Sequence, residues 1–207
     1  MRNAYFLLLI VFLGQQLWAQ KATKGEIVYH VCQRSFYDSN GDSNGDLNGL
    51  RQKLPYLQEL GVTSILLFPL YEADCYHNYF ANDFEKIDPE FGTMQDYIEL
   101  IKEVHRRGMK IYLDMETQYV TSEHLWWKDA VGNLDSKYSD YILFEDSAHQ
   151  TPATMVFDLR LLNGFDGKVI YATTVNLKSQ KVLDYNIELF SYFLDPNQDG
   201  YFDDGVD

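Results

Sequence analysis

Three short apolar runs alternate with two helical stripes, each stripe ended by a glycine, and this alternation restricts the fold of the chain more than any other feature. Residues 27–32 (IVYHVC) are β-branched and aromatic, and residues 62–70 (VTSILLFPL) are nearly all apolar, as a strand covered on both faces would be. Residues 110–115 (KIYLDM) make the third run. Between them Leu47, Leu50, Leu54 and Leu57 recur at helical spacing before Gly61, and Met94, Tyr97, Ile98, Ile101 and Val104 do so before Gly108. Thr93, with Asp96 three residues on, predicts a capping box at the start of the second helix. Strands and helices in this order build right-handed β-α-β units on a parallel sheet, either a barrel or a doubly wound sheet. No glycine-rich phosphate loop follows the first run, which argues against a nucleotide-binding fold.

The regular pattern is lost from residue 118 to residue 172, a stretch rich in Tyr, Asp, Ser and Trp. That is too long for a plain connection and predicts an inserted subdomain with short strands and no clear helix. A third helical stripe follows, with Val182, Leu183, Asn186, Ile187, Leu189 and Phe190. At the other end, Arg2 precedes an apolar run at residues 5–13 and Ala19. This predicts an export signal at 1–19, because the run is too short to span a bilayer. The expected division is a signal peptide at 1–19, three β/α units at 20–117, the insertion at 118–172, and a third helix leading to a fourth strand at 173–207.

The formal net charge of −14 disfavours nucleic acid and anionic membrane surfaces as partners. It suits cations or a neutral substrate. Cys32 and Cys75 are the two cysteines, and in an oxidising compartment they could pair or remain as buried thiols.

The loop at residues 38–46, DSNGDSNGD, places acids and amides at every second position. Side chains of Asp38, Asn40, Asp42 and Asp46, with the Asn44 carbonyl, give the oxygen-only set that calcium takes, if turns at Gly41 and Gly45 aim them inward. The same stretch also reads as a solvated loop of Asx-turns with Asp46 capping the next helix. A second loop, with Asp195, Asn197, Asp199, Gly200 and Asp203, has the same form and the same two readings. Neither is an EF-hand, since the twelfth positions are Gly49 and Val206.

With these segments in order, the chain resembles the α-amylase family of glycoside hydrolases from Glu26 to Asp207. The likeness is carried by residues 27–62, by YHNYFANDFEKIDPEFGTMQDY (76–97), and by GMKIYLDM (108–115) ending on Asp114. The resemblance implies an α/β fold, the N-terminal portion of a (β/α)8 TIM barrel with a subdomain inserted after the third strand. It implies an exported retaining hydrolase of α-linked glucans, starch or maltooligosaccharides, working through two carboxylates, with Ca2+ at the first loop. By resemblance Tyr79 stacks on sugar, Asp114 supports the floor of the site, and His77 and Tyr119 line the cleft. Arg34 reads as a structural ion-pair residue. Residues 205–207 (GVD) match the opening of the family's fourth-strand pattern. The nucleophile and the acid/base are therefore expected beyond Asp207, and the 207-residue chain is expected to be inactive alone.

Departures from the family pattern cluster at the expected sugar site. Gln118 and Tyr119 stand where the family usually has Asn and His, and Phe80 where Asp or Trp usually follows the tyrosine. Of the usual P-D-L-N near the third helix only Asn176 carries over. These changes imply a rebuilt subsite, or a non-catalytic calcium- or glycan-binding relic. Glu116 and the Trp126–Trp127 pair are candidates to compensate, although packing alone also accounts for the tryptophans.

Overall fold

A computed structural model describes residues 25–154, 161–165 and 167–207. The expected export signal at 1–19 lies outside the described residues. In chain order the elements are β1 (Val28–Val31), α1 (Leu47–Glu59), β2 (Ser64–Leu67), β3 (Tyr71–Glu72), β4 (Asp83–Ile87) and α2 (Met94–Arg106). They continue with β5 (Lys110–Leu113), β6 (Tyr119–Thr121), α3 (Leu125–Ala130), β7 (Leu161–Asn163), β8 (Val169–Thr174) and α4 (Gln180–Leu194).

Strands β1, β2 and β5 form one parallel sheet in that order, with Val31 opposite Leu67 and Leu67 opposite Leu113. The two helical stripes supply the crossovers: Leu50, Leu54 and Leu57 of α1 and Tyr97, Ile101 and Val104 of α2 are fully buried with Ile65 and Leu67. Each such side chain contributes roughly 1.5–3 kcal/mol through burial. Thr93 and Asp96 make the predicted reciprocal capping box on α2. The apolar run at 62–70 is longer than its strand because Pro69 cannot donate to a ladder, so pairing ends at Leu67.

Beyond β5 the chain builds a second, antiparallel sheet in the order β6-β8-β7. The stretch expected to lack helix also holds α3, six residues capped by His124, whose side chain accepts from the Trp126 N–H. At six residues it makes fewer than two turns, too short for a periodic stripe to show. Helix α4 docks on α2 through the Tyr97 hydroxyl, which donates to the Phe193 carbonyl at 2.9 Å. Only part of the expected stripe faces inward: Val182, Asn186 and Leu189 are buried, joined by Phe193 beyond it, while Leu183, Ile187 and Phe190 are exposed. The helix is apolar on two faces, so periodicity alone does not say which one packs. The chain then returns to the free edge of β5, where the Asp207 N–H donates to the Ile111 carbonyl at 2.9 Å.

No described helix is long and apolar enough to cross a membrane. Cys32 and Cys75 are free thiols, and burial pushes the Cys75 thiol up from its ordinary pKa.

Candidate functional site

The C-terminal ends of the parallel strands bring together residues far apart in sequence: His30 at the end of β1, Phe68 just past β2 and Asp114 just past β5. Tyr79, from the loop between β3 and β4, closes over them. Its hydroxyl donates to Asp114 Oδ2 at 2.6 Å, and His30 Nε2 lies 3.9 Å from that same oxygen. The Phe68 ring fills the space between, with centroids 4.6 Å from His30 and 5.7 Å from Tyr79. Burial first, then the bond to Asp114, raises the Tyr79 pKa, so the phenol stays a neutral donor. His77 packs beside Tyr79 at 5.4 Å, and its Nδ1 accepts from the Tyr79 N–H at 3.1 Å. Burial holds the His77 imidazole below its ordinary pKa, which keeps that acceptor available.

A buried network fixes this loop from behind. Asn78, next to Tyr79, adopts a left-handed φ of 58°. Its side-chain amide donates to the Tyr71 carbonyl at 2.8 Å and to Asp88 Oδ2 at 2.6 Å, and its Oδ1 accepts from Arg34 Nη2 at 3.2 Å. Arg34 is the structural ion-pair residue expected, paired with Asp88 at 3.2 Å and also with Glu90. A strained backbone position next to the ring held against Asp114 is tolerated because these bonds over-determine it.

Two of the expected departures from the family pattern lie side by side. Phe80 and Tyr119 pack ring to ring at 5.4 Å, and Phe80 also lies 5.4 Å from His77. An aromatic contact thus joins the two positions to His77. The main chain of Gln118 is held on both sides: its N–H donates to Glu116 Oε1 at 2.6 Å and its carbonyl accepts from Val175 N at 2.7 Å. Trp126 is buried among Phe84, Tyr141 and Tyr185, so it packs the core and is not part of the Tyr79–Asp114 cluster. Asn176 binds the Asp140 carbonyl at 3.0 Å. His30 and Phe68 were not singled out from sequence, although their places at the ends of predicted strands were the available signal.

The loop at 38–46 is a chain of Asx-turns. Asp38 accepts from the N–H groups of Asn40, Gly41 and Ser43 at 3.0, 2.6 and 2.8 Å, which holds its carboxyl below the ordinary carboxylate pKa. Asn40 Oδ1 accepts from Asp42 N, and Asp42 Oδ1 from Asn44 N. Gly41 turns the chain as expected, with φ 86°, but the second left-handed residue is Ser43, φ 77°, rather than Gly45. Gly45 is there for close approach, since a Cβ would fall 2.0 Å from the Gln33 carbonyl oxygen. Asp46 caps α1: its buried carboxylate accepts from Gly49 N at 2.6 Å and from Ser39 N and Oγ. Among the described residues no three Asp, Glu, His or Cys side chains form a group that could hold a metal ion.

A separate open cleft of about 920 Å³ lies among β4, α3 and α4, lined by Glu85, His124, Trp126, Lys181 and Tyr185 among others. It includes none of His30, Phe68, Tyr79 or Asp114.

The profile of the alpha-amylase catalytic domain matches residues 30–189. The oligo-1,6-glucosidase of Bacillus cereus is 44% identical over 122 residues, 58% of this chain and 22% of that protein. Alpha-amylase SusG of Bacteroides thetaiotaomicron is 40% identical over 123 residues, 59% of this chain and 18% of that protein. The crystal structure of the alpha-amylase from H. orenii matches with a TM-score of 0.68 at 29% identity, over 83% of this chain and 38% of that one. The chain spans about a fifth of the length of the two curated relatives.

Proposed function

We propose, for a chain that belongs to the alpha-amylase catalytic-domain family, that it forms one wall of the cleavage subsite of an exported hydrolase acting on α-linked glucans. The observation that carries this reading is the Tyr79–Asp114 bond at the C-terminal ends of the parallel strands, the end at which barrels of this kind place their sites. A half-exposed tyrosine suits a sugar, whose C–H face is apolar and whose hydroxyls need polar neighbours such as Asp114 and His30. In this role Tyr79 stacks on the ring, Asp114 fixes Tyr79 and accepts from a hydroxyl, and His77 and Tyr119 border the cleft.

Retaining hydrolysis needs a nucleophile and an acid/base a few ångströms apart. Neither is assigned to a residue of this chain by the family pattern, so the reading predicts binding of maltooligosaccharide without turnover. The run at residues 5–13 supports export.

Calcium at the first loop belongs to the same reading. The donor chemistry fits: the candidate ligands are all oxygens, and among the described residues no ion pair includes Asp38 or Asp42. Asp38, Asn40, Asp42 and Asp46, with the Asn44 carbonyl, would hold the ion, which supplies loop rigidity and no step of the reaction. The Phe80–Tyr119 pair favours a second reading, a glycan binder derived from the family that does not hydrolyse.

Calorimetric titration with maltotetraose tests the proposal. Measurable binding that is lost in Tyr79→Ala supports the subsite, and equal affinity of the variant and the parent chain would refute it.

A further inference from the structure

The cleft of about 920 Å³ among β4, α3 and α4 takes no part in the site at the strand ends, and its size lies within the roughly 300–1,000 Å³ of small-molecule pockets. One side of it is a run of aromatic rings in unbroken contact. Tyr138 meets Tyr141 edge to face at 5.1 Å, Tyr141 meets Trp126 at 4.9 Å, and Trp126 meets Tyr185 at 4.9 Å. Trp126 is buried behind the others, while the three tyrosines are half-buried and line the opening. The run joins α3, the turn at 138–141 and α4, so three segments of the chain hold it in place.

The rest of the lining is charged but balanced. Five carboxylates and five lysines face the cleft, in a chain with 31 acidic and 17 basic residues. Lys86 bridges Glu72 and Asp83 at 3.4 and 3.0 Å, Lys128 meets Glu123 at 2.9 Å, and Lys168 meets Asp74 at 2.9 Å. The fifth carboxylate, Glu85, accepts from the Tyr185 hydroxyl. With charge neutralised locally, the lining attracts neither a free anion nor a free cation, and among the described residues no group of Asp, Glu, His or Cys could hold a metal. What it offers is a set of donors and acceptors that the ion pairs already hold in position, which lowers the entropy lost on binding. His124 also lines the cleft, but it is buried and its Nδ1 accepts from the Trp126 N–H at 3.1 Å, so it supplies no acid or base there.

We propose that this cleft is a second, non-catalytic binding site for a neutral oligosaccharide, with Tyr138, Tyr141 and Tyr185 against the sugar faces and the ion-paired side chains bonded to the hydroxyls. A sugar matches both halves of the lining, because its C–H faces are apolar and its hydroxyls both donate and accept. The choice of an α-glucan as that oligosaccharide rests on the function proposed above. The cleft shares no residue with the Tyr79–Asp114 cluster, so a ligand occupies it independently of the strand ends.

The test is calorimetric titration of maltotetraose into the 207-residue chain carrying Tyr79→Ala, which removes the subsite at the strand ends. Binding is expected to persist at millimolar ligand, to be unchanged by an equal concentration of inorganic phosphate, and to weaken by about tenfold on adding Tyr138→Ala. In the unaltered chain, maltotetraose should slow amide hydrogen exchange at residues 123–141, a readout that needs no variant to fold. The two readings fail separately. Equal binding by the Tyr79→Ala and parent chains refutes the strand-end subsite and leaves the cleft, whereas loss of all binding in a folded Tyr79→Ala chain refutes the cleft and leaves the subsite. Protection confined to residues 77–79 and 114, or displacement of the sugar by phosphate, also overturns the proposal.

Discussion

Tyr79 and Asp114 stand 35 residues apart in the chain and meet in one 2.6 Å hydrogen bond, which joins the loop after β3 to the end of β5. Tyr79→Phe keeps the ring and removes the bond. A hydrogen bond to a charged group is worth roughly 1.5–3 kcal/mol, and the partial exposure of Asp114 puts this one at the lower end. Urea unfolding is expected to show a loss of about 1.5 kcal/mol, while maltotetraose affinity falls less than in Tyr79→Ala. Equal loss of affinity in both variants would mean that the hydroxyl, not the ring, makes the contact.

Phe80 and Tyr119 act as a unit. A double-mutant cycle with Phe80→Ala and Tyr119→Ala should return a coupling of about 0.5–1.5 kcal/mol in stability, the range of a tilted aromatic pair. Additive losses would show that the two departures from the family pattern are unrelated.

The sixth positions of the two acidic loops make opposite predictions. Ser43 holds φ 77° with a Cβ, a conformation costing roughly 1–2 kcal/mol in L-residues, so Ser43→Gly should raise stability by about 0.5–1 kcal/mol. Gly200 holds φ 84° in open space, so Gly200→Ala meets no atom and should lose about 1 kcal/mol through the backbone alone. Thermal unfolding of both variants decides it, and a stabilised Gly200→Ala would sink the argument.

The fold was legible wherever one period dominated. The leucine stripe of α1 and the capping box of α2 fixed the crossovers, and those set the parallel order of β1, β2 and β5. It was less legible where two forces compete. Pro69 cut short an apolar run that hydrophobicity alone would extend, and α4 carried two apolar faces of which only one found a partner. At the site, Tyr79 and Asp114 were readable from the family pattern, yet the bond between them was not. His30 became visible only when β1 and β5 were seen to flank β2, two strands from each other but near enough for His30 to reach Asp114.

His124 gives the clearest pH dependence. It lies buried between Phe84 and Trp126 and accepts the capping bond of α3 through Nδ1, and burial pushes its pKa down to about 4. In the unfolded chain the imidazole takes a proton near the ordinary value of about 6.5. Between these values the unfolded state binds the proton and the folded state refuses it. The stability from a neutral His124 is therefore complete above about pH 6.5 and is lost as pH falls towards 4, a total of about 3 kcal/mol. Glu103, held down to about 2 by its arginine neighbours, loses its contribution only at lower pH, so the windows separate. His124→Asn keeps a capping acceptor and cannot charge. Its urea stability should be lower at pH 7, for loss of ring packing, but flatter from pH 6.5 to 4.5. If the variant and the parent chain lose stability in parallel across that window, His124 is not the group that titrates.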